Sequence, residues 1–138
     1  MANRLEIGCP LAGVEKRITF ETMRRYSGDT GIHAQQDAGK EQGLGGALVQ
    51  GGQLGAYLNQ LMTDNFGEGY LRGGDIAVSF RKPVRAEDVI ATNGIVREIR
   101  PEAARIRVTC EVWLENQDGE KTTVGRASAV GQAREREE

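Results

Sequence analysis

The chain has 138 residues, a formal net charge of -2 and two cysteines. A mildly acidic balance with no concentrated basic face excludes a general nucleic-acid binder, and 138 residues suit a single domain that needs neither a structural metal nor disulfides to hold its core. Cys9 and Cys110 read as reduced thiols of a cytoplasmic protein, and no ligand cluster of metal-site spacing surrounds either.

In chain order, residues 1–7 have no long apolar run, so neither a signal peptide nor a membrane span is expected there. Residues 16–20 form a short strand. Thr19 then caps a short helix over residues 21–26, with Met23 and Tyr26 on one face. Gly28 and Gly31 make residues 27–33 a loop. A helical turn follows at residues 37–42.

The main helix starts near Gly51 and runs towards Asn65. Leu54, Tyr57, Leu58, Leu61 and Met62 fall at helical spacing and make one apolar stripe. Glycines at 45, 46, 51, 52 and 55 are poor helix formers, so their density here implies close backbone approach to another group.

The second half is strand-like. Residues 75–81 alternate, with Ile76, Val78 and Phe80 on one face, and Pro83 interrupts the run. Residues 89–99 form a strand with a bulge expected at Gly94. Residues 104–115 alternate most cleanly, with Ile106, Val108, Cys110, Val112 and Leu114 inward. Trp113 lies among the outward residues, where a subunit interface would use it. Asn116-Gln117-Asp118-Gly119 is a hairpin turn, and residues 121–130 return as the last strand. The expected fold is α+β: one domain over residues 1–138, an antiparallel sheet wrapped around a long central helix. Residues 132–138 read as a frayed tail.

Two segments carry candidate chemistry. The single histidine, His33, follows Asp29 by four residues in Tyr26-Ser27-Gly28-Asp29-Thr30-Gly31-Ile32-His33. A carboxylate and an imidazole on one Gly-rich turn can hold a water between them and move its protons. The second segment, Leu48-Val49-Gln50-Gly51-Gly52-Gln53-Leu54, opens the apolar helix with bare amides, where the positive end of the helix dipole stabilises an oxyanion. The catalytic candidates are Asp29 and His33. Gly51, with Gln50 and Gly52, supplies the oxyanion site; Ser27 supports it by hydrogen bonding, and Tyr57 is a candidate for the wall of a substrate tunnel. The bland alternatives are a turn for Asp29, a backbone-bonded His33, tight packing at Gly51 and core packing for Tyr57. Arg81, Lys82 and Arg85 form a basic cluster suited to a phosphate-bearing tail, or simply to solvent.

Taken together and in order, Tyr26-Ser27-Gly28-Asp29, Ile32-His33, Ala38-Gly39-Lys40, Gln42-Gly43-Leu44, Val49-Gln50-Gly51 and Phe80-Arg81-Lys82-Pro83-Val84 resemble the MaoC-like dehydratases, which include the R-specific enoyl-CoA hydratases. The resemblance spans roughly residues 20–130. It implies a hotdog fold and a hydro-lyase that reversibly hydrates a 2-enoyl thioester. Asp29 and His33 would activate water, and the Gly51 amide would polarise the thioester carbonyl. Coenzyme A would be part of the substrate, with no separate cofactor. A homodimer or a dimer of dimers is implied, with neither a membrane nor a nucleic acid as partner.

The chain departs from that pattern at three places. The Asn-Pro usual between the aspartate and the Ile-His pair is reduced to Gly31, Gln50 stands where histidine is frequent, and Glu87-Asp88 replaces Gly-Asp. Three alternatives stay open: a hotdog thioesterase, since the fold also hosts that chemistry; a lyase or isomerase on a substrate without coenzyme A, which the shortened loop favours; and a non-catalytic hotdog subunit, kept open by Gln50 and the missing Asn-Pro.

Overall fold

The computed structural model describes residues 5–27 and 48–132. Their elements are β1 (Glu15–Arg17), α1 (Phe20–Ser27), α2 (Gly51–Phe66), α3 (Glu68–Leu71), β2 (Asp75–Phe80), β3 (Val89–Glu102), β4 (Arg105–Glu115) and β5 (Lys121–Gln132). The five strands form one antiparallel sheet in the order β1-β3-β4-β5-β2. The sheet packs one face on α2, whose Leu54, Leu58, Leu61 and Met62 are buried in one core with Val96, Val108, Val112 and Leu114. This is the expected α+β hotdog arrangement. The helical stripe and the period-2 strands supply its two apolar faces.

Thr19 caps α1 as expected. Its Oγ1 accepts from the Thr22 amide at 3.2 Å, and Thr22 Oγ1 accepts from the Thr19 amide at 3.3 Å. This is a reciprocal box with threonine in the place glutamate usually takes. The turn at Asn116–Gly119 also forms. Asn116 Oδ1 accepts from the amides of Asp118 and Glu120, both at 2.9 Å, and Gly119 adopts φ 78°.

Four expectations need correction. The bulge in β3 lies between Val96 and Glu98, not at Gly94. Gly94 instead makes room: a Cβ there would come within 2.7 Å of Leu11 Cδ1, so the glycine admits the N-terminal segment onto the sheet. The first strand ends at Arg17 rather than Phe20, because Phe20 already begins α1. The short helix α3 is an element that the sequence pattern does not predict. Its Gly69 lies flush on β5, where a Cβ would run into the Val130 carbonyl oxygen. Gln132, expected in the tail, is the last residue of β5 and pairs with Arg105. The helical turn expected at residues 37–42, and the remainder of the tail, lie outside the described residues.

Arg107 fastens the far end of the sheet. Its guanidinium donates to both Glu102 carboxylate oxygens, at 2.7 and 2.9 Å, and to the Gly73 carbonyl and Ser128 Oγ at 2.9 and 2.8 Å. The bidentate fork ties the β3–β4 hairpin to the turn before β2. It also holds the Glu102 carboxyl below its ordinary range. A carboxyl depressed in the folded state stabilises the protein above its unfolded pKa, and that stability is lost as pH falls through the folded value. Acid unfolding of Glu102→Gln should therefore lose part of its pH dependence below about pH 4, the unfolded carboxylate range. Thermal melts taken from pH 6 downward measure this. Melts of the variant and the native chain that fall in parallel would show that the pair contributes nothing.

Candidate functional site

Strand-like pairing aims the start of α2. The Val49 amide donates to the Val84 carbonyl at 2.7 Å, and Leu48 bridges to Arg85. Val49 and Val84 are both buried. Gln50 is extended at φ -68° and ψ 142°, and its side chain makes no capping bond. Its carbonyl accepts from the amides of Gln53 and Leu54, at 3.0 and 3.3 Å. The Gly51 and Gly52 amides precede these bonds and, as the first donors of a helix, have no intrahelical acceptor. No acidic side chain lies in the first turn of α2, so no acid of its own neutralises the positive end of the dipole.

The Phe80 ring lies across this end. A Cβ on Gly51 would sit 3.1 Å from Phe80 Cζ and 3.2 Å from Cε2. Gly52 has open space around it among the described residues. Val49-Gln50-Gly51 and the segment beginning at Phe80, some thirty residues apart in the sequence, thus converge on one amide-rich spot. Gln50 and Gly51 are half-buried and Gly52 is exposed, so the spot is reachable from outside the described residues.

Beneath it lies Gln53, a residue with no role in the sequence-based site. It is fully buried, and its Nε2 donates to the Tyr57 hydroxyl at 2.7 Å. Its Oε1 is buried with no hydrogen-bond partner among the described residues. Leaving such an acceptor unfilled costs about 1–3 kcal/mol. The four-residue spacing of Gln53 and Tyr57 on a helix is the signal that could have found it. Tyr57 itself is buried, as core packing requires, yet its edge reaches a cleft beside α1.

Asp29 and His33 lie outside the described residues. Ser27 is the last residue of α1. Of the basic cluster, Arg81 and Lys82 are exposed and Arg85 is half-buried, and Lys82 pairs with Glu120 at 3.4 Å. Trp113 is half-buried on the outer face of the sheet, with the Lys121 ammonium 4.4 Å from its ring centroid. Among the described residues no group of three His, Cys, Asp or Glu side chains is placed to hold a metal, and no helix is long and apolar enough to cross a membrane.

No protein-family model and no curated protein sequence matches the chain. Solved structures do. A MaoC-like dehydratase from Rhodospirillum rubrum superposes with a TM-score of 0.78 at 22% identity, covering 93% of each chain. The (R)-hydratase of A. caviae involved in PHA biosynthesis gives 0.75 at 20% identity, over 95% of this chain and 99% of that one. The HadBC complex of Mycobacterium tuberculosis, a 3R-hydroxyacyl-ACP dehydratase, gives 0.71 at 15% identity, over 94% of this chain and 100% of that one. At these identities the likeness is one of fold. The chain has the hotdog fold, in the form that MaoC-like dehydratases and R-hydratases display.

Proposed function

We propose that the chain is a hydro-lyase that adds water to, or removes it from, a 2-enoyl thioester. The observation that carries this reading is the uncapped, acid-free start of α2, where the Gly51 and Gly52 amides stand without intrahelical acceptors beside Phe80. Such amides stabilise the enolate oxygen that forms when a conjugated thioester gains or loses water. Asp29 and His33, four residues apart on a Gly-rich segment, are the groups proposed to handle the water and its protons. The hydratases and dehydratases among the structural neighbours support the reading.

Incubation with crotonyl-CoA, followed by both enoyl absorbance and free thiol, tests it. Loss of absorbance without thiol is the expected result. Release of thiol would instead point to a thioesterase. No reaction in either channel would favour a substrate without coenzyme A or a non-catalytic subunit.

Gly51→Ala probes the amide site directly. Among the described residues the atoms nearest the added methyl are the rim of an exposed phenyl ring, which can swing aside, so the melting temperature should change little. The methyl nevertheless occupies the approach to the amide. Displacing the carbonyl by about 1 Å costs on the order of a hundredfold in rate. Steady-state turnover of Gly51→Ala at the native level would remove this amide from the mechanism.

A further inference from the structure

Between β1, α1 and the middle of α2 lies a cleft of about 660 Å³, lined by Lys16, Arg17, Thr22, Arg25, Tyr57 and Gln60. Among the described residues three cations and no carboxylate line it, in a chain whose net charge is -2. The Lys16 ammonium sits 5.5 Å from the centroid of the Tyr57 ring. Arg17 pairs with Glu87 at 3.0 Å and Arg25 with Glu21 at 3.1 Å. Neither glutamate lines the cleft, and all four of these side chains are well exposed. Exposed pairs of this kind hold their partners weakly. A ligand offering several anionic oxygens competes for both guanidiniums at once, and two forks with an ammonium suit phosphate better than a single carboxylate.

We propose that this cleft binds a phosphate group and, resting on the hydro-lyase reading, that it receives the phosphorylated arm of the thioester's carrier. The position suits that use. Ala56 and Gln60, which line the cleft from α2, lie five and nine residues beyond Gly51, a rise of roughly 8–14 Å along the helix. A thioester seated at the Gly51 amide can therefore extend along α2 and place an anionic group among these cations. Gln53, two residues beyond Gly51, is joined by its hydrogen bond to Tyr57 in the wall of the cleft.

Calorimetric titration of the whole chain at fixed ionic strength tests the site, using inorganic diphosphate and, separately, coenzyme A. Diphosphate should bind the native protein, and the double variant R17Q/R25Q about tenfold more weakly or worse, the scale of one lost charge-assisted hydrogen bond. Circular dichroism checks that the variant folds, and Lys16→Gln gives an independent single-site measure. Coenzyme A weakened in parallel supports the carrier arm. Coenzyme A unaffected while diphosphate weakens overturns the carrier arm and assigns the cleft to a free phosphorylated ligand. Diphosphate that fails to bind, or binds native and variant proteins equally, overturns the phosphate site. Turnover of crotonyl-CoA is read separately. Its absence alongside arginine-dependent diphosphate binding would end the hydro-lyase reading and leave the site standing.

Discussion

Asp29→Ala is expected to lower hydration of crotonyl-CoA by about 10²–10⁴-fold, the usual contribution of a positioned acid–base group. The reason is chemical economy at one water. Hydration removes a proton from water and delivers one to the α-carbon, and both transfers need groups within hydrogen-bond reach of that water. Asp29 and the only histidine of the chain are the pair the sequence offers for this. His33→Ala should cost a similar factor. The double variant should cost little more than either single one, because groups that act through one water act as a unit. Stopped-time assays of the three variants, with circular dichroism as the folding control, measure this. A double variant whose losses multiply would show that the two side chains act separately, and full activity in Asp29→Ala would end the mechanism.

Leu58→Ala is expected to destabilise the protein by about 2–5 kcal/mol. Leu58 is fully buried on α2, among the side chains that the sheet wraps. Removing its isobutyl group forfeits the transfer free energy of the missing carbons and opens a void. The β-sheet on one side and the helix backbone on the other resist collapse into that void. Denaturant titration should move the midpoint down with the slope unchanged. By contrast, Gln60→Ala, on the exposed side of the same helix, should stay within about 0.5 kcal/mol of native. Equal losses for the two variants would contradict the packing described for α2.

The strands and the long helix were legible because each buries one face, and burial imposes a period. Ile106, Val108, Cys110, Val112 and Leu114 alternate without exception, and all five are buried. Helix α3 was not legible because Gly67, Gly69, Gly73 and Gly74 are poor helix formers that mask any period in so short a segment. At Gly69, Gly73 and Gly74 smallness instead serves contact with β5 and Tyr70. The bulge escaped for a related reason. Glycine is a frequent bulge residue, but at Gly94 it makes room for Leu11, while the register shift falls at the polar residue Arg97, whose guanidinium reaches Glu111 at 2.8 Å. Of the candidate site, the amide end of α2 could be read from paired glycines ahead of an apolar stripe. The closure of Phe80 over Gly51 could not, since nothing local links residues so far apart. Gln53 escaped because a polar residue inside an apolar stripe looks like an exposed one until its hydroxyl partner is seen.

The two margins of the sheet are unlike, and this bears on how copies of the chain can join. One margin is β1, three residues long and charged throughout as Glu15, Lys16 and Arg17. Lysine and like charges on so short a strand discourage a further strand from docking there. The other margin is β2, six residues with Ile76, Val78 and Phe80, bounded by Asp75 and followed by Arg81. Set head to tail against its own image, that segment brings acid towards base at both ends. Among the described residues β2 is therefore the margin whose length and apolar side chains suit a further strand, and β1 the margin whose charge and shortness oppose one.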